Sequence, residues 1–130
     1  MAAARYAKKH IEGRNAYYVG QDGLKEALEE NGFILSEKNV GVVFVGLNTE
    51  ATYKEYSKAL GYLIVKGAKL IGTNNDRILA QKDGFSIGNG SIVAMFEYAS
   101  GQESPKIGKP HETILLEALD YFDKQRKKLF

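Results

Sequence analysis

Cysteine is absent from the 130-residue sequence, and this absence removes several kinds of chemistry at once. Without thiols the chain can form no disulfide, no thiolate nucleophile and no cysteine-ligated zinc site. A cysteine-free composition also fits a reducing compartment. No apolar run approaches the roughly 20 residues that span a bilayer, and the first residues lack the apolar core of a signal peptide. We therefore predict a cytoplasmic protein that does not contact a membrane.

The sequence also has little net charge and few histidines. The 18 basic and 16 acidic residues leave a formal charge of +2, which is too balanced to favour nucleic acid as a partner. His10 and His111 are the only histidines and lack the spacing of a helical metal-binding pair, so we predict no metal site. The remaining composition, with 44% hydrophobic and 26% charged residues, is that of one folded domain over residues 1–130.

Strand-like and helix-like stretches alternate along the chain. The apolar run at 40–47 has the length and composition of a strand buried on both faces, as in a parallel sheet. Residues 74–90 are rich in Gly, Asn and Asp and are predicted to be mostly loop. Further strands are predicted at 16–19, 33–35, 68–73 and 106–108, and helices at 2–10, 22–31, 49–66, 91–98 and 112–128.

This alternation predicts a three-layer α/β fold of the flavodoxin-like or Rossmann-like kind. A mainly parallel sheet of about four or five strands would lie between two layers of helices. The runs at 40–47 and 68–73 are predicted to be neighbours in the centre of that sheet.

The candidate ligand site is the edge of the sheet where the parallel strands end, since ligands of such folds bind there. Small polar residues gather at these strand ends, and the free N–H groups of helices that start there can hold a small anion or a phosphorylated ligand. The same residue types also make ordinary turns and caps, so both interpretations stay open. The ligand-binding candidates are Gln21, Asn48, Asn74, Asn75, Lys109 and His111.

Catalytic candidates are fewer. His111 precedes Glu112 at a predicted helix start and could act as a base for Ser86 or Ser91. The glycine-rich stretch 84–91 lacks the lysine of a phosphate-binding loop, so we do not expect it to bind phosphate.

Several motifs occur in an order and spacing that resemble a known family. They are Val-Phe-Val-Gly-Leu-Asn-Thr at 43–49, Gly-Ala-Lys-Leu-Ile-Gly-Thr-Asn-Asn-Asp at 67–76, Asp-Gly at 83–84, Gly-Asn-Gly-Ser-Ile-Val at 88–93 and Ile-Gly-Lys-Pro at 107–110. Together, over about 15–120, they resemble the type IIA cap domain of NagD and p-nitrophenyl phosphatases of the haloacid dehalogenase superfamily. Residues 1–14 and 112–130 would be flanking helices.

The resemblance implies a role for the cap and for one lysine. In this family the cap positions the leaving group of the substrate, while a separate core carries the catalytic aspartates. Lys109, in the Gly-Lys-Pro motif, would contact the phosphoryl group. Magnesium is expected only in the full-length family enzyme.

The sequence also departs from the family pattern. It contains no D-x-D-G nucleophile motif and no Gly-Asp metal motif after Pro110. Asn48 stands where the family has Asp, and Asn75 and Asn89 stand where Pro and Ala are common. We therefore predict an isolated substrate-recognition cap without phosphatase activity or cofactor, and we interpret it as an engineered protein or design scaffold.

Two alternatives stay open. One is a designed, esterase-like hydrolase that uses His111 with Ser86 or Ser91 as nucleophile. The other is an interaction module that forms a homodimer through the surface that meets the core in the family, since an exposed apolar patch tends to find a partner.

Overall fold

The computed structural model describes residues 1–107, 119 and 122–125, and its elements largely follow the predicted alternation. Helix starts and ends follow local chemistry: the Thr52 side chain accepts a hydrogen bond from the Glu55 amide, and Gly101 ends a helix in the left-handed conformation. The elements are α1 (Ala2–His10), β1 (Asn15–Val19), α2 (Asp22–Glu30), β2 (Ile34–Leu35), β3 (Val42–Val45), α3 (Tyr53–Val65), β4 (Lys69–Gly72), β5 (Ile78–Gln81), β6 (Gly84–Ile87) and α4 (Asn89–Ser100).

Four strands form one parallel sheet in the order β2-β1-β3-β4. All four residues of β3 are fully buried, because successive side chains point to opposite faces and both faces are covered. Val42 and Phe44 pack on one side of the sheet, while Val43 and Val45 pack on the other. The predicted fold class is confirmed, and so is the strand buried on both faces.

Helices cover both faces of the sheet. On the Phe44 face, α1 contributes Ala7 and α2 contributes Leu28 to the core. On the opposite face, α3 contributes Leu63 and α4 contributes Phe96. Each large apolar side chain buried in this way stabilises the fold by about 1.5–3 kcal/mol. The result is the predicted three-layer arrangement.

The prediction that the run at 68–73 lies in the centre of the sheet was wrong. This run forms β4, which neighbours β3 as expected but lies at the edge of the sheet in the described part of the chain. The predicted strand at 106–108 is also absent where residues 106–107 are described. Instead, the side chains of Gln102 and Ser104 occupy hydrogen-bonding positions along β4.

The segment 74–90, predicted to be mostly loop, contains an antiparallel hairpin. Strands β5 and β6 are joined by the two-residue turn Lys82-Asp83, and Gly84 follows with a positive φ of 147°. Ile78 pairs with Ile87, and Ala80 pairs with Phe85, so these four side chains share one face. The polar turn residues dominated the composition of the segment and concealed this alternation.

The predicted last helix lies mostly outside the described residues. Positions 119 and 122–125 are helical, and the apolar side chains of Leu119 and Phe122 are exposed. No helix within the described ranges is long and apolar enough to cross a membrane.

Candidate functional site

The strand ends gather at one edge of the sheet, which we call the rim: Gly20-Gln21, Gly46–Asn48 and Thr73–Asn75. The Gly46 amide donates to the Val19 carbonyl at 2.7 Å, and the Thr73 amide donates to the Val45 carbonyl at 3.0 Å. These bonds continue the parallel pairing to the last residues of β1, β3 and β4. The rim therefore brings the three loops together, as expected of such a sheet.

Asn48 links two of these loops. Its Nδ2 donates to the Gly20 carbonyl at 3.2 Å, and its Oδ1 accepts from the Glu50 amide at 2.9 Å. The side chain thus holds the loop after β3 against the end of β1. An aspartate could accept from the Glu50 amide but has no proton to donate to the Gly20 carbonyl. The two hydrogen bonds therefore explain why asparagine suits this position.

The other predicted rim residues have simpler surroundings. Asn74 Oδ1 accepts from the Asp76 amide at 3.1 Å, which closes a local turn. Gln21 is exposed, occupies the N-cap position of α2, and makes no side-chain capping bond. Asn75 is half-buried and its carbonyl lies against Gly90. The structure therefore has Gln21, Asn48, Asn74 and Asn75 at the rim, whereas Lys109 and His111 lie outside the described residues.

Asn89 contacts the rim and was not among the sequence candidates. It is buried, and its Nδ2 donates to the Val45 carbonyl at 2.8 Å and to Thr73 Oγ1 at 3.4 Å. It therefore joins the first turn of α4 to the ends of β3 and β4. Its Oδ1 has no hydrogen-bond partner among the described residues. The available signal was its position between Gly88 and Gly90 at a helix start.

The N-terminus of α4 is closed by the base of the hairpin. The amides of Gly88 and Gly90 donate to the carbonyls of Arg77 and Asp76 at 3.0 and 2.7 Å. A Cβ atom at Gly88 would lie 2.2 Å from the Asp76 carbonyl oxygen, so glycine permits this close approach. These glycines therefore allow close packing of the hairpin base against α4, and the expectation that 84–91 does not bind phosphate stays a prediction.

The catalytic candidates are not assembled in the described part of the chain. Ser91 Oγ donates to the Arg77 carbonyl at 2.6 Å, which engages its proton with a backbone oxygen. Ser86 is half-buried in β6. His10, the one histidine within the described residues, packs its ring on Tyr6 at a centroid distance of 4.3 Å. The described residues also contain no cluster of three side chains that could hold a metal ion.

A groove of about 550 Å³, which we call the β1 groove, opens beside β1 at the rim. Its wall includes Tyr17, Tyr18, Ser36, Glu37, Asn48 and Glu55. Burial raises the pKa of Tyr17 above 10.0, and the nearby Lys58 ammonium partly offsets this rise. Lys58 forms an ion pair with Glu37 and lies 5.8 Å from the centre of the Tyr17 ring. The volume is within the range of small-ligand sites.

The fold and the rim define a parallel α/β domain of the kind that binds ligands beyond the carboxyl ends of its strands. No protein-family model matches the chain. Among solved structures, the p-nitrophenyl phosphatase from Archaeoglobus fulgidus matches with a TM-score of 0.71 and 31% identity, over 92% of this chain and 46% of that one. A variant of the thermostable p-nitrophenylphosphatase from Bacillus stearothermophilus matches with a TM-score of 0.74 and 37% identity, over 90% and 46%.

Sequence relatives belong to the same group. The chain is 32% identical over 120 residues to the 5'-nucleotidase YutF of Bacillus subtilis, covering 92% of this chain and 46% of that protein. It is 35% identical over 128 residues to an acid sugar phosphatase of Staphylococcus saprophyticus, covering 97% and 49%. The homologues of this chain are therefore NagD-type p-nitrophenyl and acid sugar phosphatases, as the motifs predicted. The chain spans about half the length of these relatives.

Proposed function

We propose that these 130 residues act as the substrate-recognition cap of a NagD-type phosphatase and do not hydrolyse phosphate esters by themselves. The observation that carries the proposal is the extent of the match: nearly all of the chain aligns with about half of each phosphatase. The sequence also contains no D-x-D-G motif, so it offers no aspartate in the context that forms the phospho-enzyme in the family it resembles. The cap would contact the leaving group while the other half supplies nucleophile and magnesium.

Turnover by the purified chain tests the second part of the proposal. With p-nitrophenyl phosphate and magnesium, we expect release of p-nitrophenol at the rate of buffer alone. Activity that stays with the protein through successive purification steps, and that disappears with a chelator, would overturn it.

A chimera tests the first part. This chain would replace the matching segment of the acid sugar phosphatase of Staphylococcus saprophyticus, with deletion of that segment as the control. We expect the chimera to retain magnesium-dependent activity but to change the ratio of kcat/KM between sugar phosphates, because the cap contacts the leaving group. A folded, active chimera with unchanged ratios would contradict a role in recognition.

The rim is our proposed place for any small anion or phosphorylated ligand. Gln21, Asn48, Asn74 and Asn75 are the described residues that support it, and Lys109 with His111 remain predictions. A phosphate titration followed by amide chemical shifts should move signals near Asn48 and Asn75. Shifts centred on the basic stretch 124–128 would contradict a rim site.

An engineered origin and the esterase-like alternative stay predictions, and nothing in the described contacts favours the esterase-like alternative.

A further inference from the structure

The β1 groove lies where a longer β2 would continue. Strand β2 contains only Ile34 and Leu35, and these pair with Asn15 and Ala16 at the start of β1. Strand β1 continues to Val19, while the chain after Leu35 turns away through Ser36. Residues 17–19 therefore have β3 on one side and the groove on the other. This free length is about 10 Å at 3.3 Å per residue, and it ends at Gly20, whose carbonyl is bound by Asn48.

The backbone of Tyr18 points into this space. The carbonyls of Asn15 and Val19 accept from Gly41 and Gly46 on the β3 side, whereas the carbonyl of Ala16 accepts from Ser36 on the β2 side. Odd-numbered residues of β1 thus bond toward β3, and even-numbered residues bond toward β2. Tyr18 lies two residues beyond Ala16, so its N–H and C=O face the groove, where no β2 residue pairs with it.

The groove carries more negative than positive charge. Glu37 and Glu55 line it, and Lys58 is already paired with Glu37. Glu55 is exposed, and the one described side-chain partner of its carboxylate is the Thr52 hydroxyl at 3.3 Å. A ligand that brings a positive charge would compensate Glu55.

We propose that the β1 groove binds an extended peptide segment that carries a basic side chain, and that this segment pairs with Tyr18 as a continuation of β2. A strand added to a sheet edge gains main-chain hydrogen bonds, and its side chains give selectivity. Here Tyr18 supplies one donor and one acceptor, the Tyr17 ring supplies an aromatic surface, and Glu55 selects Lys or Arg. The proposal concerns a peptide partner and is independent of the phosphatase role.

The probe is the peptide acetyl-Val-Lys-Val-Lys-amide, titrated into the full 130-residue chain to about 5 mM, a range suited to weak binding. Amide chemical shifts should move at Tyr18 and Gly20 first. Two matched peptides separate the contributions: one with Glu in place of Lys, and one methylated on the backbone nitrogens of the two central residues. We expect the acidic peptide to bind at least about fivefold more weakly, and the methylated peptide to lose the shifts, because methylation removes the donors.

Protein variants complete the test. Glu55→Gln keeps the capping partner of Thr52 but removes the charge, so we expect about three- to fivefold weaker binding of the basic peptide. Glu30→Gln, at the exposed far end of α2, should leave binding unchanged. Equal binding of all three peptides, or no shift at Tyr18, would overturn the proposal. Shifts at Tyr18 that depend on protein concentration without peptide would mean that a second copy fills the groove, which also overturns it.

Discussion

At the scale of single residues, Asn48 shows how one amide group can determine a loop position. It uses both ends of its side chain, as a donor to Gly20 and as an acceptor from Glu50. Asn74 is a useful contrast, because the contact described for its side chain uses only the oxygen. The two asparagines should therefore respond differently to the same chemical change.

We predict that Asn48→Asp lowers the free energy of unfolding by about 1–3 kcal/mol, because the Gly20 carbonyl loses its donor and faces a carboxylate. Asn74→Asp is the control and should change stability by less than about 0.5 kcal/mol. Urea denaturation of the two variants and the parent chain measures both values. Equal losses would mean that the Asn48 contacts do not stabilise the fold.

Tyr17 gives the fold a dependence on alkaline pH. Burial raises its pKa above 10.0 in the folded chain, so the neutral phenol is favoured by folding. The folded state then binds more protons than the unfolded state above pH 10.0, and the stability present below that pH is lost as the pH rises through the folded pKa. Tyr56, whose pKa burial also raises, contributes in the same direction.

We expect the free energy of unfolding to decrease as the pH rises above about 10, and to decrease less in Tyr17→Phe. Tyr53→Phe, at a residue that is 88% exposed, is the control and should keep the slope of the parent chain. Denaturant titrations at several pH values provide the comparison. A slope that is unchanged in Tyr17→Phe would show that this phenol is not responsible.

At the scale of elements, the edge of β4 is paired by side chains. Gln102 accepts from the Leu70 amide at 3.1 Å and donates to the Ala68 carbonyl at 2.8 Å, and Ser104 Oγ accepts from the Gly72 amide at 2.8 Å. These partners are two residues apart, as in a strand ladder. Gln102 therefore imitates the backbone of a neighbouring strand and protects an edge that could otherwise pair with another chain.

Gln102→Ala should lower the free energy of unfolding by about 1–2 kcal/mol, since two β4 backbone groups lose their partners. It should also speed hydrogen exchange at the Leu70 amide more than at Phe44, which pairs within the sheet. Glu103→Ala, an exposed neighbour, serves as the control. Unchanged exchange at Leu70 would indicate that water replaces the glutamine without cost.

The elements differ in how far the sequence predicts them. Strand β3 was predictable because burial on both faces leaves a continuous apolar run, and helix α3 because burial of one stripe leaves a periodic apolar pattern. The edge position of β4 was not predictable, because its outer partners are side chains from residues more than 30 positions away. The hairpin was missed because its turn residues outweighed the short alternation. At the rim, residue types indicated the location, whereas the buried bonds of Asn89 depend on packing that no local pattern encodes.

At the scale of the whole molecule, the hairpin of β5 and β6 carries exposed large apolar side chains on one face. Ile78, Phe85 and Ile87 share one face and are 59%, 75% and 67% exposed. A two-stranded hairpin alone is marginally stable in water. Here its base is held to α4 through the carbonyls of Asp76 and Arg77. The base of the hairpin is fixed to α4 while its apolar face is exposed to solvent. This face is therefore suited to contact another polypeptide.

The sequence predicts a homodimer through the surface that meets the core in the family; as a separate prediction, we expect the hairpin face to support self-association. Sedimentation equilibrium at rising protein concentration is expected to show reversible dimers, because pairing two hairpin faces removes six large apolar side chains from water. Phe85→Ser should weaken the dimer by about tenfold, as expected when a central aromatic contact is lost. Tyr98→Ser, at a residue that is 94% exposed on α4, removes an aromatic ring elsewhere and should leave dimerisation unchanged. A chain that stays monomeric at every concentration, or that dimerises equally well with Phe85→Ser, would rule out the hairpin as a self-association surface.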